Sequence, residues 1–551
     1  MVNTGSTVSR TAFDGLKWLK MNFQRFGLKA CVLAFLAVWM QMARAQAVEV
    51  DAQAQAWLRA AEVVMTPGEI ARWAIERNAK AIAQRAQVAS VSELVEAERS
   101  LYDPVMSVTT SRTFNKQARP SQDISADVQR LISCGLDPEC QGSISDLKLE
   151  DRQLATVHGY GVQVLLPSGA QLEVRHSVQG NRSNLSDPPD KMEARASLTL
   201  SVVQPLLRGG GRDATEADLA VAEREYGVEL QNLSRQVLDT LGSAVGAYWQ
   251  LYQSEKTVFW REEALHMAQA AVDEVVTREQ AGYGNTLELA DAKLALNARR
   301  NELVSAVQQH AELQARVRNL LNLPGSAYAA VKFKTAASVL PVVDAPGELE
   351  QSKALDAWPA YRIALLREEQ ERIRLSYANN QRQPDLSLAM TYSQNNLMAS
   401  RKKAFEDVAD SKNRGWSLGV TFSRPLFNSA AEHKYGAQSV KVKAATQAVQ
   451  SELVAWSNEL VARESQLKAT GEQVKVRRDA VALREQALAM QQAQFDAGRA
   501  RMRTLLERQD QLSDSRLQSI EAEINWKLAE LQLLAATGDV LERFGISVQT
   551  R

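Results

Sequence analysis

Met192-Glu193-Ala194-Arg195-Ala196-Ser197-Leu198-Thr199-Leu200-Ser201-Val202-Val203-Gln204-Pro205-Leu206-Leu207 is the stretch on which the fold turns. Met192, Ala194, Ala196, Leu198, Leu200 and Val202 fall on one face of an extended chain; Glu193, Arg195, Ser197, Thr199 and Ser201 fall on the other. A period of two marks a strand with one apolar and one wet side. Beyond Pro205 the pattern changes. From Asp213 to Gln280 there is neither proline nor a strand-like run, enough for about 100 Å of helix at 1.5 Å per residue.

The same passage from strand to long helix recurs. Trp416, Leu418, Val420 and Phe422 alternate with Ser417, Gly419, Thr421 and Ser423, then Pro425-Leu426-Phe427 leads into helix-forming sequence from Ser429 to Asp496. Pro205 precedes Gly282 by 77 residues and Pro425 precedes Gly498 by 73, a spacing that reads as an internal duplication. Further alternating stretches lie at 104–114, 158–166, 171–180 and 385–395, with a hairpin turn at Pro167-Ser168-Gly169-Ala170. The segment from Asn115 to Thr156 is polar and reads as a surface loop. Thr66-Pro67-Gly68-Glu69 has the residues of a capping box at the start of a helix reaching Leu101.

The chain divides into a signal segment (1–45), a first repeat (46–325) with strands at 104–114, 158–166, 171–180 and 191–203, and a linker or lateral element (326–358). A second repeat (359–542) with strands at 385–395 and 414–424 follows, then a tail (543–551). Lys17, Lys20, Arg25 and Lys29 precede an apolar core from Ala30 to Met42 and the small-x-small site Ala43-Arg44-Ala45, so secretion is expected, with Met1 or Met21 as the start. No later apolar run is long enough for a spanning helix. Strands of about ten residues with alternating polarity suit a transmembrane barrel or a half-buried soluble sheet; charges confined to the polar faces favour the barrel. Six strands leave open edges, which lipid does not tolerate, so further copies must close the wall. The numbers of basic and acidic residues, 65 each, leave no electrostatic footprint for nucleic acid. Cys134 and Cys140 are placed for a local disulfide in an oxidising compartment. The histidines are scattered without metal-ligand spacing, and Gly209-Gly210-Gly211-Arg212 lacks the lysine and hydroxyl of a phosphate loop and reads as a joint. Neither enzyme activity nor a cofactor is expected.

From Thr66 to Glu542 the sequence resembles the TolC-like outer-membrane efflux channel family. The residues that carry the likeness are Ser100-Leu101-Tyr102-Asp103-Pro104, Gln204-Pro205-Leu206-Leu207-Arg208-Gly209-Gly210, Ala247-Tyr248-Trp249, Gln383-Pro384-Asp385-Leu386 and Arg424-Pro425-Leu426-Phe427. The resemblance implies an α+β membrane protein: a homotrimeric outer-membrane β-barrel continued by a periplasmic antiparallel α-helical coiled-coil barrel. It implies a passive duct from a periplasmic adaptor and an inner-membrane pump (RND or ABC type) to the exterior, gated at the helix tips and in contact with outer-membrane lipid. Strand and helix would meet at Pro104, Pro205, Pro384 and Pro425. The tips would be the turns at Gly282 and Gly498. Family members narrow the pore with two acidic residues; the matching positions here are Thr504 and Glu507, so a double acidic ring is in doubt, with Glu288 and Asp291 at the same spacing on the first tip. These carboxylates either line the aperture or are solvated helix-surface groups. Arg499, Arg501 and Arg503, with Tyr283 and Asn285, either dock the adaptor or serve solubility. The family's two strands per repeat would give 12 in a trimer; the extra hairpin here raises this to 18 unless it folds as a flap. Type I protein secretion and a non-conducting periplasmic coiled-coil scaffold are the alternative readings.

Overall fold

The computed structural model describes Trp57, Leu58, Ala60 and residues 62–134, 147–186, 188–282, 286–324, 328–336, 348–410, 412–497 and 499–546. The signal segment 1–45, Cys140 and the Cys134 side chain, Tyr283, Asn285, Gly498 and parts of the linker and tail lie outside the described residues. In chain order the elements are β1 (Glu62–Met65), α1 (Pro67–Arg77), α2 (Ala79–Arg99), β2 (Val105–Ala118), α3 (Ser121–Cys134), β3 (Glu150–Leu165), β4 (Gln171–Ser183), β5 (Glu193–Pro205), α4 (Arg212–Thr215) and α5 (Ala217–Gln280). They continue with α6 (Thr286–Leu320), β6 (Lys332–Thr335), α7 (Glu348–Ala357), α8 (Pro359–Asn380), β7 (Asp385–Met398), α9 (Arg401–Glu406), β8 (Asn413–Ser423), α10 (Ser429–Asp496), α11 (Met502–Thr537) and α12 (Val540–Arg543).

The chain forms two compact units. One comprises Lys80–Asp239, Asp344–Gln466 and Leu531–Arg551 and holds a six-stranded antiparallel sheet in the order β2-β3-β4-β5-β7-β8. All six expected strands are present, and the 167–170 hairpin joins β3 to β4 within the ladder, so it is not a flap. The register gathers most of the apolar residues on one face, with Val157, Leu165, Val203 and Leu397 among the exceptions on the other. One row across the sheet reads Met106, Val162, Val174, Leu200, Tyr392, Trp416, and the next Val164, Leu172, Val202, Met390, Leu418. A row on the opposite face reads Ser107, Gly161, Arg175, Thr199, Ser393, Gly415. A one-residue slip would invert every strand, so this agreement across five pairings reflects a strongly specified register. The outer edges of β2 and β8 have no strand partner among the described residues.

Strand leads to helix through a knitted joint. Pro104 and Pro384 stand just before β2 and β7, Pro205 closes β5 and Pro425 follows β8. The Gly209 N–H donates to Asn380 Oδ1 (2.8 Å) and Arg208 pairs with Asp385 (3.1 Å). Gly211, at φ 90°, supplies a left-handed bend that other residues resist. The triglycine is therefore a joint, as expected. Helices of this unit interlock by polar bonds as well as apolar contact: Gln84 donates to Glu229 (2.7 Å), Gln370 to Glu225 (2.8 Å), and the Trp456 indole to the Ala536 carbonyl (3.1 Å).

The other unit comprises the chain up to Ala79, Thr240–Val343 and Leu467–Glu530. Its small sheet pairs β1 with β6 in parallel. Met65 and Phe333 are fully buried there, and Gln314 clamps β6 by donating to the Phe333 carbonyl (2.6 Å) and accepting from its N–H (3.0 Å). The capping box before α1 forms as read: the Glu69 N–H donates to Thr66 Oγ1 (3.3 Å), and the Thr66 N–H donates to Glu69 Oε2 (2.8 Å). Thr66→Ala removes one of these bonds and is expected to lower stability by about 1 kcal/mol, measurable as a lower midpoint in chemical unfolding.

Several expectations are corrected. The helix from Pro67 breaks at Asn78, whose backbone is extended (ψ 128°). The long helix after Pro205 is interrupted at Glu216, separating α4 from α5. The segment 115–156 is not all loop: β2 runs to Ala118, α3 occupies Ser121–Cys134 and β3 starts at Glu150. Within 326–358, read as a linker or lateral element, stand β6 and α7, which fit the second of those readings.

Candidate functional site

Both reversals of the long helices lie in the second unit described above. α5 ends at Gln280, Gly282 turns the chain with φ 82°, and α6 starts at Thr286. The reversal needs a left-handed residue, and glycine takes that conformation without a Cβ penalty. α10 ends at Asp496 and α11 starts at Met502. An apolar core joins all four helices here, with Val272 and Val275 of α5, Leu296 of α6, Phe495 of α10, and Met502 and Leu505 of α11. Arg278 covers the Phe495 ring at 4.7 Å.

A cleft beside this core is lined by Glu288 and Asp291 from α6 and by Arg501, Arg503, Glu507 and Asp510 from α11 and its approach. The candidate acidic residues of the two tips therefore share one cleft with two of the candidate docking arginines. Arg499 is exposed on the approach to α11, and the Thr504 backbone N–H donates to the Arg501 carbonyl (3.1 Å). Glu507 is not a lone carboxylate. Arg503 donates to it at 3.2 Å, although both side chains are exposed and such a pair contributes little.

The most constrained charges lie deeper. Arg299 of α6 binds both oxygens of Glu302 (2.8 Å each) and also Asp510 of α11. Arg261 of α5 binds the same Glu302 (3.0 Å) and Asp514 (3.4 Å). Two guanidiniums and three carboxylates thus tie three helices together, with Arg299 only 15% exposed. Burial pushes the Asp510 carboxyl above the usual aspartate range, further than the attraction of Arg299 pulls it down. Burial opposes the Arg299 charge, but Glu302 and Asp510 outweigh it and hold the guanidinium above its ordinary value. This network has no local signature in the chain, since its members are separated by up to 253 residues. No group of histidine, cysteine, aspartate and glutamate suited to a metal ion occurs among the described residues, and no described helix is long and apolar enough to cross a membrane.

No protein-family model matches the chain, and no curated protein matches it in sequence. Solved structures do match. The chain is similar to CusC, a transmembrane channel, with TM-score 0.61 and 12% identity over 86% of this chain and 92% of that one. It is similar to the Campylobacter jejuni CmeC outer membrane channel, with TM-score 0.61 and 12% identity over 88% and 90%. The outer membrane protein VceC of Vibrio cholerae matches with TM-score 0.57 and 15% identity over 86% and 96%. Ladder, joints and paired helix tips together give this chain the fold of the TolC-type outer-membrane channels.

Proposed function

We propose that this chain is the outer-membrane exit duct of a tripartite efflux or export system. One observation carries the reading: near the helix joints six strands place a continuous apolar band on one face and hydroxyls, amides and charges on the other, while both edges of the sheet stay open among the described residues. Glu173 and Arg175 are the third and fifth residues of β4, on the polar face and level with the apolar band, where a water-filled lumen accommodates them and lipid does not. Unpaired edge groups are costly in hydrocarbon, so β8 of one copy pairs with β2 of the next. Three copies then supply about 18 strands, a size class that leaves an aqueous channel. The similar structures described above are outer-membrane channels, which supports the same location for this chain, with its helices in the periplasm.

In this reading the duct works without chemistry of its own. The tips close the periplasmic end, Glu288, Asp291 and Glu507 repeat around the axis and favour cations there, and Arg499, Arg501 and Arg503 with Tyr283 and Asn285 meet a periplasmic adaptor that links the duct to an inner-membrane pump of the RND or ABC type. The two repeats descend from one duplicated unit. Purified protein is expected to migrate as a heat-modifiable trimer and to give discrete conductance steps in planar bilayers. A water-soluble monomer with no conductance would overturn the proposal.

A further inference from the structure

Above its apolar band, the outward face of the sheet changes character. From the helix-proximal ends upward, no strand places a charged side chain on this face until Arg112 in β2, Arg152 in β3, Arg182 in β4 and Arg414 in β8. Arg112 lies seven residues from the start of β2 at Val105, Arg414 nine from the end of β8 at Ser423, and Arg182 eleven from the start of β4 at Gln171. A tilted strand crosses the hydrocarbon in about 9–11 residues. The charges therefore begin around the level where the bilayer ends; Tyr392 and Trp416 lie one row beneath Arg414 and Tyr160 two same-face rows beneath Arg112, at the interfacial level aromatic side chains prefer.

The two strands without such a cation, β5 and β7, are covered instead by a helix that brings its own. α9 sits on the outward face, with Ala404 packed against Val178, Ala194 and Ala196, all nearly or fully buried. Phe405 stacks on His176 with ring centroids 4.1 Å apart. A Cβ at Gly180 would lie 2.8 Å from the Arg401 stem, so glycine leaves the path by which that stem crosses β4. Seated this way, α9 leaves Arg401, Lys402 and Lys403 exposed. The outward-facing positions of the strand ends and the β7–β8 segment together carry nine cations (Arg112, Lys116, Arg152, Arg182, Arg401, Lys402, Lys403, Lys412, Arg414) against four carboxylates (Glu150, Glu406, Asp407, Asp410). Glu150 is shared by Lys116 (2.9 Å) and Arg152 (3.3 Å), and Lys402 reaches Glu406 only at 3.9 Å. Arg112, Arg182, Arg401, Lys403 and Arg414 have no carboxylate partner among the described residues.

We propose that this belt binds the phosphate groups of anionic lipid in the outer leaflet, with α9 as its anchoring element. The inference rests on the membrane reading above. Guanidinium groups match phosphate oxygens bidentately, and each cation near an anionic membrane surface adds about 1 kcal/mol of attraction, roughly a fivefold change in affinity. The belt runs from β2 to β8, so joining copies edge to edge would continue it around the wall.

The test uses the full trimer reconstituted in phosphatidylcholine vesicles with and without a diphosphorylated glycolipid, followed by gentle re-extraction and a phosphate assay of the retained lipid. Wild-type protein is expected to retain the glycolipid in a salt-sensitive manner. The variant Arg401→Gln/Lys402→Gln/Lys403→Gln is expected to bind the glycolipid on the order of a hundredfold more weakly, three factors of about five, with unchanged single-channel conductance, since these side chains are exposed on the far face from the lumen. Equal retention by variant and wild type, or wild-type retention that ignores salt, overturns the proposal. Wild-type protein that inserts and conducts but retains no glycolipid overturns the belt alone; protein that neither inserts nor conducts overturns the membrane reading with it.

Discussion

Met390→Arg is expected to abolish assembly into membranes, whereas Thr391→Arg, one residue further along the same strand, is expected to assemble normally. Met390 lies in the apolar rows beside Val202 and Leu418; Thr391 faces the opposite way beside Ser201 and Ser417. An arginine at the lipid-facing midplane of a barrel costs about 2–4 kcal/mol per copy, and a lumen position costs little. A trimer repeats the penalty three times, about 6–12 kcal/mol, comparable with the whole stability margin of a typical fold. The magnitude also separates the duct from a soluble sheet. Met390 is 53% exposed in the single chain, so in water its replacement by arginine would change stability by no more than about 0.5 kcal/mol. Folding into lipid vesicles followed by urea titration, with the heat-resistant oligomer as a second readout, decides the matter. Equal behaviour of the two variants would remove the basis for calling one face outward.

What the sequence made legible follows from how local each signal is. A period of two sustained over ten or more residues, as in 192–203 or 414–424, is visible without any partner, so all six strands of the large sheet were foreseen. The small β1–β6 sheet was not, because four residues such as Lys332-Phe333-Lys334-Thr335 carry too little pattern and their pairing spans 270 residues. The bend at Asn78 escaped because asparagine inside helix-forming sequence is a common surface residue, and only its extended backbone marks the break. α3 was hidden in polar sequence, although Ile124, Val128 and Leu131 have helical spacing. α9 owes its place to tertiary contact: the Ala404 seat exists only once β4 and β5 are aligned. At the tips, Glu288, Asp291 and Glu507 stand out only through family spacing, while Arg261, Arg299 and Asp510 carry no local signal because their pairing crosses three helices far apart in the chain.

That network leads to the second large effect, in which the arginine and the aspartate of one ion pair behave differently. If the duct closes at its tips as proposed, opening separates α6 from α11, breaks the Arg299–Asp510 contact and returns both groups to water. Arg299→Leu leaves Glu302 and Asp510 half-buried with only Arg261 to offset them. Loss of one partner from a buried pair costs about 3–5 kcal/mol; with Asp510 35% exposed, screening reduces this to about 1–3 kcal/mol. The closed state should weaken by one to two orders of magnitude, read as a higher open probability in planar bilayers. Asp510→Asn should not open the duct. The raised pKa of Asp510 means that burial disfavours its charge more than Arg299 favours it, and an uncharged isostere relieves that penalty. The sign for pH follows from linkage. A carboxyl whose pKa is raised in the closed state stabilises that state fully below its free value and loses this contribution as pH rises through the raised one. Acidification through that window should therefore tighten closure in the wild type, and Asp510→Asn should flatten the response. If Asp510→Asn opened the duct as far as Arg299→Leu, attraction rather than burial would govern the pair and the pH dependence would reverse.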